Sequence, residues 1–100
     1  MKYSTITHRK AQEFILTLDK ADRARVDRYY YLFDEYGPTL TTKYLKKLEK
    51  DIWELRPGKL RLFLIIKGNV GYVVHGIKKK TQKTPRRELE LVRKRIREGI

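Results

Sequence analysis

Leu60-Arg61-Leu62-Phe63-Leu64-Ile65-Ile66-Lys67-Gly68-Asn69-Val70-Gly71-Tyr72-Val73-Val74-His75-Gly76-Ile77 reads as a β-hairpin. Two runs rich in β-branched and aromatic residues flank Gly68-Asn69, whose leading glycine suits a two-residue type II′ turn. The pattern predicts strands over residues 60–67 and 70–77. It sets Lys67 opposite Val70, Ile65 opposite Tyr72, Phe63 opposite Val74 and Arg61 opposite Gly76, each pair pointing to one side of the sheet. Upstream, Ile52-Trp53-Glu54-Leu55-Arg56 reads as a third strand. A turn at Pro57-Gly58 puts Leu55 opposite Leu60 and Glu54 opposite Arg61. A four-residue loop there keeps the same parity, whereas a bulge reverses it.

These pairings sort the side chains. One face carries Trp53, Leu55, Leu60, Leu62, Leu64, Ile66, Val73, His75 and Ile77, which is a core needing a cover. The other carries Phe63, Ile65, Tyr72 and Val74, with Glu54, Arg56 and Arg61 gathered at one end. Lys78, beside Gly76, begins a basic loop at that end. Six of the ten residues from Lys78 to Arg87 are Lys or Arg. Two sheet arginines and the loop lysines therefore converge, and Gly76 leaves space for a ligand. His75 reads as a hydrogen-bonded core histidine in preference to a general base. His8 receives no role, and two separated histidines without cysteine make no metal site.

Working outward, Ala11, Phe14, Ile15 and Leu18 form one stripe of a helix over residues 9–18. Asp19 or Asp22 then caps a second helix, residues 21–36, with Val26, Tyr29, Tyr30 and Phe33 inward and Gly37-Pro38 as its stop. The short connection predicts an antiparallel αα-hairpin. Tyr29-Tyr30-Tyr31 reads as core packing or partner contact in preference to base stacking. Thr41 or Thr42 is expected to cap a short helix over residues 41–50. Residues 1–8 alternate enough for a short edge strand. Thr84-Pro85 reads as a helix start, with Leu89, Val92 and Ile96 facing inward towards the C-terminus. The expected class is α+β, a small antiparallel sheet of three or four strands packed on an N-terminal αα-hairpin, with a C-terminal helix. Residues 1–100 read as one domain.

The charge narrows the function. Twenty-five Lys and Arg against twelve acidic residues give +13. Self-repulsion on that scale points to an anionic partner, nucleic acid first. No apolar run is long enough to cross a bilayer and no signal peptide is evident, so the expected location is the cytoplasm, with no membrane role. A Lys- and Arg-rich site without an evident acid–base pair suits phosphate chemistry. RNA supplies its own nucleophile in the 2′-hydroxyl, which leaves the protein to orient it, neutralise charge and move protons. Arginine meets two phosphate oxygens with its planar fork. Lysine crowded by other cations has its pKa lowered and so becomes a plausible base. No metal or cofactor is required.

Several motifs together resemble the RelE/ParE toxin superfamily, in its phage-derived HigB-like branch. They are Lys47-Leu48, Ile52-Trp53-Glu54-Leu55-Arg56, Arg61-Leu62-Phe63, and the string from His75 through Lys78-Lys79-Lys80-Thr81-Gln82-Lys83-Thr84-Pro85 to Glu88. The resemblance implies the toxin of a type II toxin–antitoxin system, a ribosome-dependent mRNA endonuclease. The implied partners are mRNA in the ribosomal A site and a helix-turn-helix antitoxin, with operator DNA met only through the antitoxin complex. It assigns transition-state stabilisation to Arg61 and proton transfer to Lys79 or Lys80. Arg56, Lys78, Lys83 and Arg86 would bind RNA, and Thr84-Pro85 would fix the loop's exit. Asp51 and Ile77 depart from the branch's common glycine and phenylalanine, and its terminal tyrosine or histidine is missing. The alternatives are a gyrase-poisoning ParE-like toxin and a non-catalytic nucleic-acid-binding protein.

Overall fold

The computed structural model describes residues 2–80 and 83–99. In chain order its elements are strand β1 (Ser4–Thr7), helices α1 (Arg9–Leu16) and α2 (Lys20–Tyr36), a 3₁₀ turn at Gly37–Thr39, and strands β2 (Leu45–Lys47), β3 (Trp53–Leu55), β4 (Leu60–Lys67) and β5 (Val70–Lys78). Helix α3 (Arg86–Arg97) follows. The α+β class holds, but the sheet has five strands in the order β1-β5-β4-β3-β2 and is mixed, because β1 runs parallel to β5. The N-terminal strand anticipated from alternation is present. The helix expected over residues 41–50 is instead a turn followed by β2, which pairs antiparallel with β3. Thr41 accepts from the Tyr44 and Leu45 amides, so a single turn forms before the chain extends.

Local chemistry explains the helix ends. His8, given no role from sequence, is the N-cap of α1, its Nδ1 accepting from the Lys10 amide at 3.1 Å. Asp19 caps α2 by accepting from the Asp22 amide at 2.8 Å. Gly37 ends α2 with a positive φ of 52°, and a β-carbon there would collide with the Tyr3 ring.

The sheet lies between two helical layers. On one face Leu55, Leu60, Leu62, Leu64 and Val73 pack with Ala11, Ile15 and Leu18 of the α1 segment and Val26 and Phe33 of α2. On the other, Ile52, Phe63 and Val74 pack against Val92 of α3, flanked by Leu89 and Ile96. Tyr29 and Tyr30 border the first core. The Tyr30 hydroxyl is 2.9 Å from Thr7 Oγ1, and burial pushes its pKa up to about 12. Tyr31 is exposed.

The central hairpin corrects the expected register. Lys67↔Val70 and Ile65↔Tyr72 stand as read from the Gly68-Asn69 turn, but a β-bulge at Val74 then shifts the pairing to Phe63↔His75, Leu62↔Gly76 and Arg61↔Ile77. One extra residue sends every later side chain of β5 to the opposite face. His75 and Ile77 therefore leave the leucine-rich face. Ile77 packs with the α3 core, and the His75 ring stacks on Phe63 at 5.7 Å. Gly76 now faces α1. A β-carbon there would meet Phe14 at 2.5 Å, so the glycine accommodates that ring, beside a cleft that both residues line. At the β3–β4 turn the register is Leu55↔Leu62 and Glu54↔Phe63, which keeps the expected parity with a longer connection.

Candidate active site

The second consequence of the bulge falls at the end of β5, where Lys78 and Lys79 exchange faces. Lys79 turns to the α3 side of the sheet, where β3 presents Glu54. That carboxylate is only 2% exposed. Its Oε1 lies 3.4 Å from Arg56 Nε and 3.8 Å from Arg61 Nε, and its Oε2 accepts from Thr84 Oγ1 at 2.8 Å. A buried carboxylate with these partners is compensated and fixed. It joins the end of β4, the residue after β3 and the far end of the basic loop.

The two arginines are held from other directions as well. Arg56 Nη1 donates to the Thr42 carbonyl at 3.0 Å. Arg61 Nη1 donates to the carbonyls of Gly58 at 2.7 Å and Leu60 at 2.6 Å. Burial, with Arg56 nearby, lowers the Arg61 pKa against the opposing pull of Glu54.

In front of Glu54 is a cleft of about 310 Å³ lined by Lys46, Leu48, Arg56, Lys79, Lys83, Thr84 and Leu89 as well as Glu54 itself. Lys79 is distinctive among its cations. Burial lowers its pKa, and the positive charges of Arg61, Arg56 and Lys46 lower it further, with Glu54 opposing. Its backbone amide donates to the Lys59 carbonyl at 2.8 Å, which fixes where the side chain starts. The cleft thus combines cationic groups able to meet a phosphate with an amine whose charge its surroundings disfavour. Among the described residues, no three of His, Asp and Glu converge to hold a metal ion.

The family model for phage-derived Gp49-like proteins matches residues 13–97. The chain belongs to that family. Its fold is that of the archaeal RelE in the RelE–RelB complex of Pyrococcus horikoshii, with a TM-score of 0.69. The match covers 83% of this chain and 100% of that one at 22% identity. No curated protein matches the sequence. Family and fold bear out the resemblance to the RelE superfamily drawn from the motifs.

In this Gp49-like chain the residues singled out from sequence do not all meet. Arg56, Lys79 and Lys83 line the Glu54 cleft, but Arg61 is not among its lining residues and stands with a side chain 13% exposed. Lys78 points to the helical-hairpin face, where its Nζ is 3.1 Å from Asp22 Oδ2. That bond is the first cause holding the Asp22 pKa below the usual carboxylate value, and Arg25 adds to it. Lys80 lines a second cleft on the other side of the loop. Arg86 is exposed at the start of α3 and lines neither cleft. Thr84 does not cap α3, since Pro85 holds the N-cap position without a side-chain bond. Thr84 fixes the loop's exit by its bond to Glu54 instead. Thr81 and Gln82 of the loop motif lie outside the described residues.

Lys46 was missed from sequence. It stands opposite Glu54 in the β2–β3 ladder, so that it shares the face of the cleft. The signal available was Leu45-Lys46-Lys47, too short for a period of two to show.

Proposed function

We propose that this protein is the toxin of a type II toxin–antitoxin pair and cleaves messenger RNA on the ribosome without a metal. The observation that supports this reading is the cleft itself, where Lys79, its charge disfavoured by burial and by cationic neighbours, stands with Arg56, Lys46 and Lys83. Neutral Lys79 takes the proton of the 2′-hydroxyl as its oxygen attacks the adjacent phosphorus. The bond from phosphorus to the 5′-oxygen breaks, and a protonated lysine of the same cleft, Lys46 or Lys83, gives that oxygen its proton. The products are a 2′,3′-cyclic phosphate and a 5′-hydroxyl.

Arg56 and the remaining lysine offset the charge of the phosphorane. Arg61, bonded to two backbone carbonyls, acts through its positive charge on Lys79. The carboxylate of Glu54 holds both arginines and, through Thr84, the loop. The structurally similar RelE was solved with RelB, which favours an antitoxin as this chain's own partner. The expected antitoxin is a helix-turn-helix protein that carries the toxin to operator DNA.

Induction in bacteria followed by primer-extension mapping tests the reading. Growth arrest with cuts inside translated codons is expected for the natural sequence, and neither for Lys79→Gln. Arrest with intact messages would overturn it.

A further inference from the structure

The basic loop has a second side. A cleft of about 430 Å³ lies between it, the end of β5 and α1. Its walls include the apolar groups of Phe14, Ile77 and Pro85, with Lys80 and Arg87 also in its lining. Lys79 and Lys83 belong to both clefts. The acid of this second cleft is Glu88, whose side chain is 18% exposed.

Glu88 is held by a chain of partly buried groups that the proposed reaction does not use. Its Oε1 is 3.1 Å from His75 Nε2, and His75 Nδ1 is 2.9 Å from Arg95 Nη1. Arginine can only donate, so Nδ1 accepts and Nε2 carries the proton that it donates to Glu88. Burial, helped by Arg95 and opposed by Glu88, keeps the His75 pKa below its ordinary value, consistent with that neutral tautomer. Arg95 Nη1 is itself fixed by the Val74 carbonyl at 2.8 Å. The chain therefore runs from the backbone of the bulge to a carboxylate at the cleft. A carboxylate placed among so many cations weakens a site meant only for phosphate. Its rigid support suits a different task, accepting a hydrogen bond from a fixed direction.

We infer that the second cleft is a nucleobase pocket in which Glu88 accepts a hydrogen bond from a base amino group. The inference rests on the reading that the first cleft holds RNA. One strand reaches both clefts because they share Lys79 and Lys83. The volume falls in the range of small-ligand sites, about 300–1,000 Å³. The apolar wall suits the flat faces of an unstacked base, as single-stranded RNA presents them. An acceptor-only carboxylate pairs with the 4-amino group of cytosine and opposes the 4-carbonyl of uracil. Glu88 thus becomes a specificity-determining residue, and His75 and Arg95 are positioning residues behind it.

The test is fluorescence anisotropy of the full chain with labelled 2′-O-methyl hexamers, which lack the nucleophile and stay intact. Hexacytidylate is expected to bind about tenfold tighter than hexauridylate, the scale of one well-placed hydrogen bond to a charged group. Glu88→Gln, which turns part of the acceptor into a donor, is expected to erase or reverse that preference. Glu90→Gln on the exposed side of α3 is expected to keep it. A hexamer of pyrimidin-2-one, without the 4-amino group, is expected to bind more weakly than hexacytidylate to the natural protein, which keeps the test independent of how the variants fold. Equal affinity for all three hexamers, or a preference unchanged in folded Glu88→Gln, overturns the pocket. Equal, salt-sensitive binding leaves the RNA reading in place, and no binding to any hexamer overturns the pocket alone, since cleavage on the ribosome is judged by the induction experiment.

Discussion

Lys78 and Lys79 are consecutive, carry the same group, leave the same strand and both line the second cleft, yet their other neighbours lie on opposite faces of the sheet. Lys78 is directed to the α2 layer and neutralises Asp22. Lys79 is directed to the α3 layer, where burial and Arg61 disfavour its charge. The difference is set by one unpaired residue, the bulge at Val74, four and five positions earlier. A ladder irregularity buried in the sheet thus decides which lysine's charge meets Asp22 and which lysine's charge its surroundings disfavour. Composition alone does not separate them.

The sharpest way to break this comparison is to neutralise each lysine in turn. Lys79→Gln is expected to lower the rate of message cleavage by about 10²- to 10⁴-fold, the usual worth of a general base. Lys78→Gln is expected to stay within a few-fold of the natural protein. Cleavage assays on programmed ribosomes compare the two directly, and equal losses would dissolve the distinction.

Next in size is Glu54, which serves only the Lys79 side. Glu54→Ala leaves Arg56 and Arg61 without their carboxylate and releases Thr84. Chemical denaturation should show a loss of about 3 kcal/mol, as for breaking a largely buried ion pair. A change near zero would mean the arginines are held by their backbone carbonyls alone. On the opposite face of the sheet, Tyr30→Phe removes the bond to Thr7 and should cost about 1 kcal/mol by the same measurement.

The smallest effect is one of pH. His75 has a folded pKa below its unfolded value, so the folded state binds fewer protons there. Its contribution is fully present above about pH 6.5, the unfolded value, and is lost as pH falls from there through the folded pKa. Asp22, also depressed, keeps its contribution until pH falls below the ordinary carboxylate range. Thermal unfolding from pH 7.5 to 5 should therefore show a decline that flattens in His75→Asn and persists in Lys78→Gln. A decline unchanged in His75→Asn would place the titrating group elsewhere.

Much of this was legible in the residues. Gly68-Asn69 announces its turn by local chemistry, and that turn set the register as far as Leu64↔Val73. The helix stripes and the Gly37-Pro38 stop were equally local. The basic end of the sheet followed from parity, since Glu54, Arg56 and Arg61 precede the bulge's influence. What escaped was non-local. Val73-Val74-His75 carries no glycine to mark a bulge, because packing under α3 and not a positive φ sustains it. The three residues of β2 show no period, and so Lys46 was placed on a helix. The parallel pairing of β1 joins segments some 66 residues apart, Ser4 with Val70, which no local pattern encodes.

The most direct test of the account is the pH dependence of cleavage on programmed ribosomes, compared between the natural protein and Lys79→Gln. The account predicts a rate that rises with pH through an apparent pKa below the ordinary lysine range, and loss of that rise in the variant. A rate independent of pH, or a rise that survives Lys79→Gln, would contradict it.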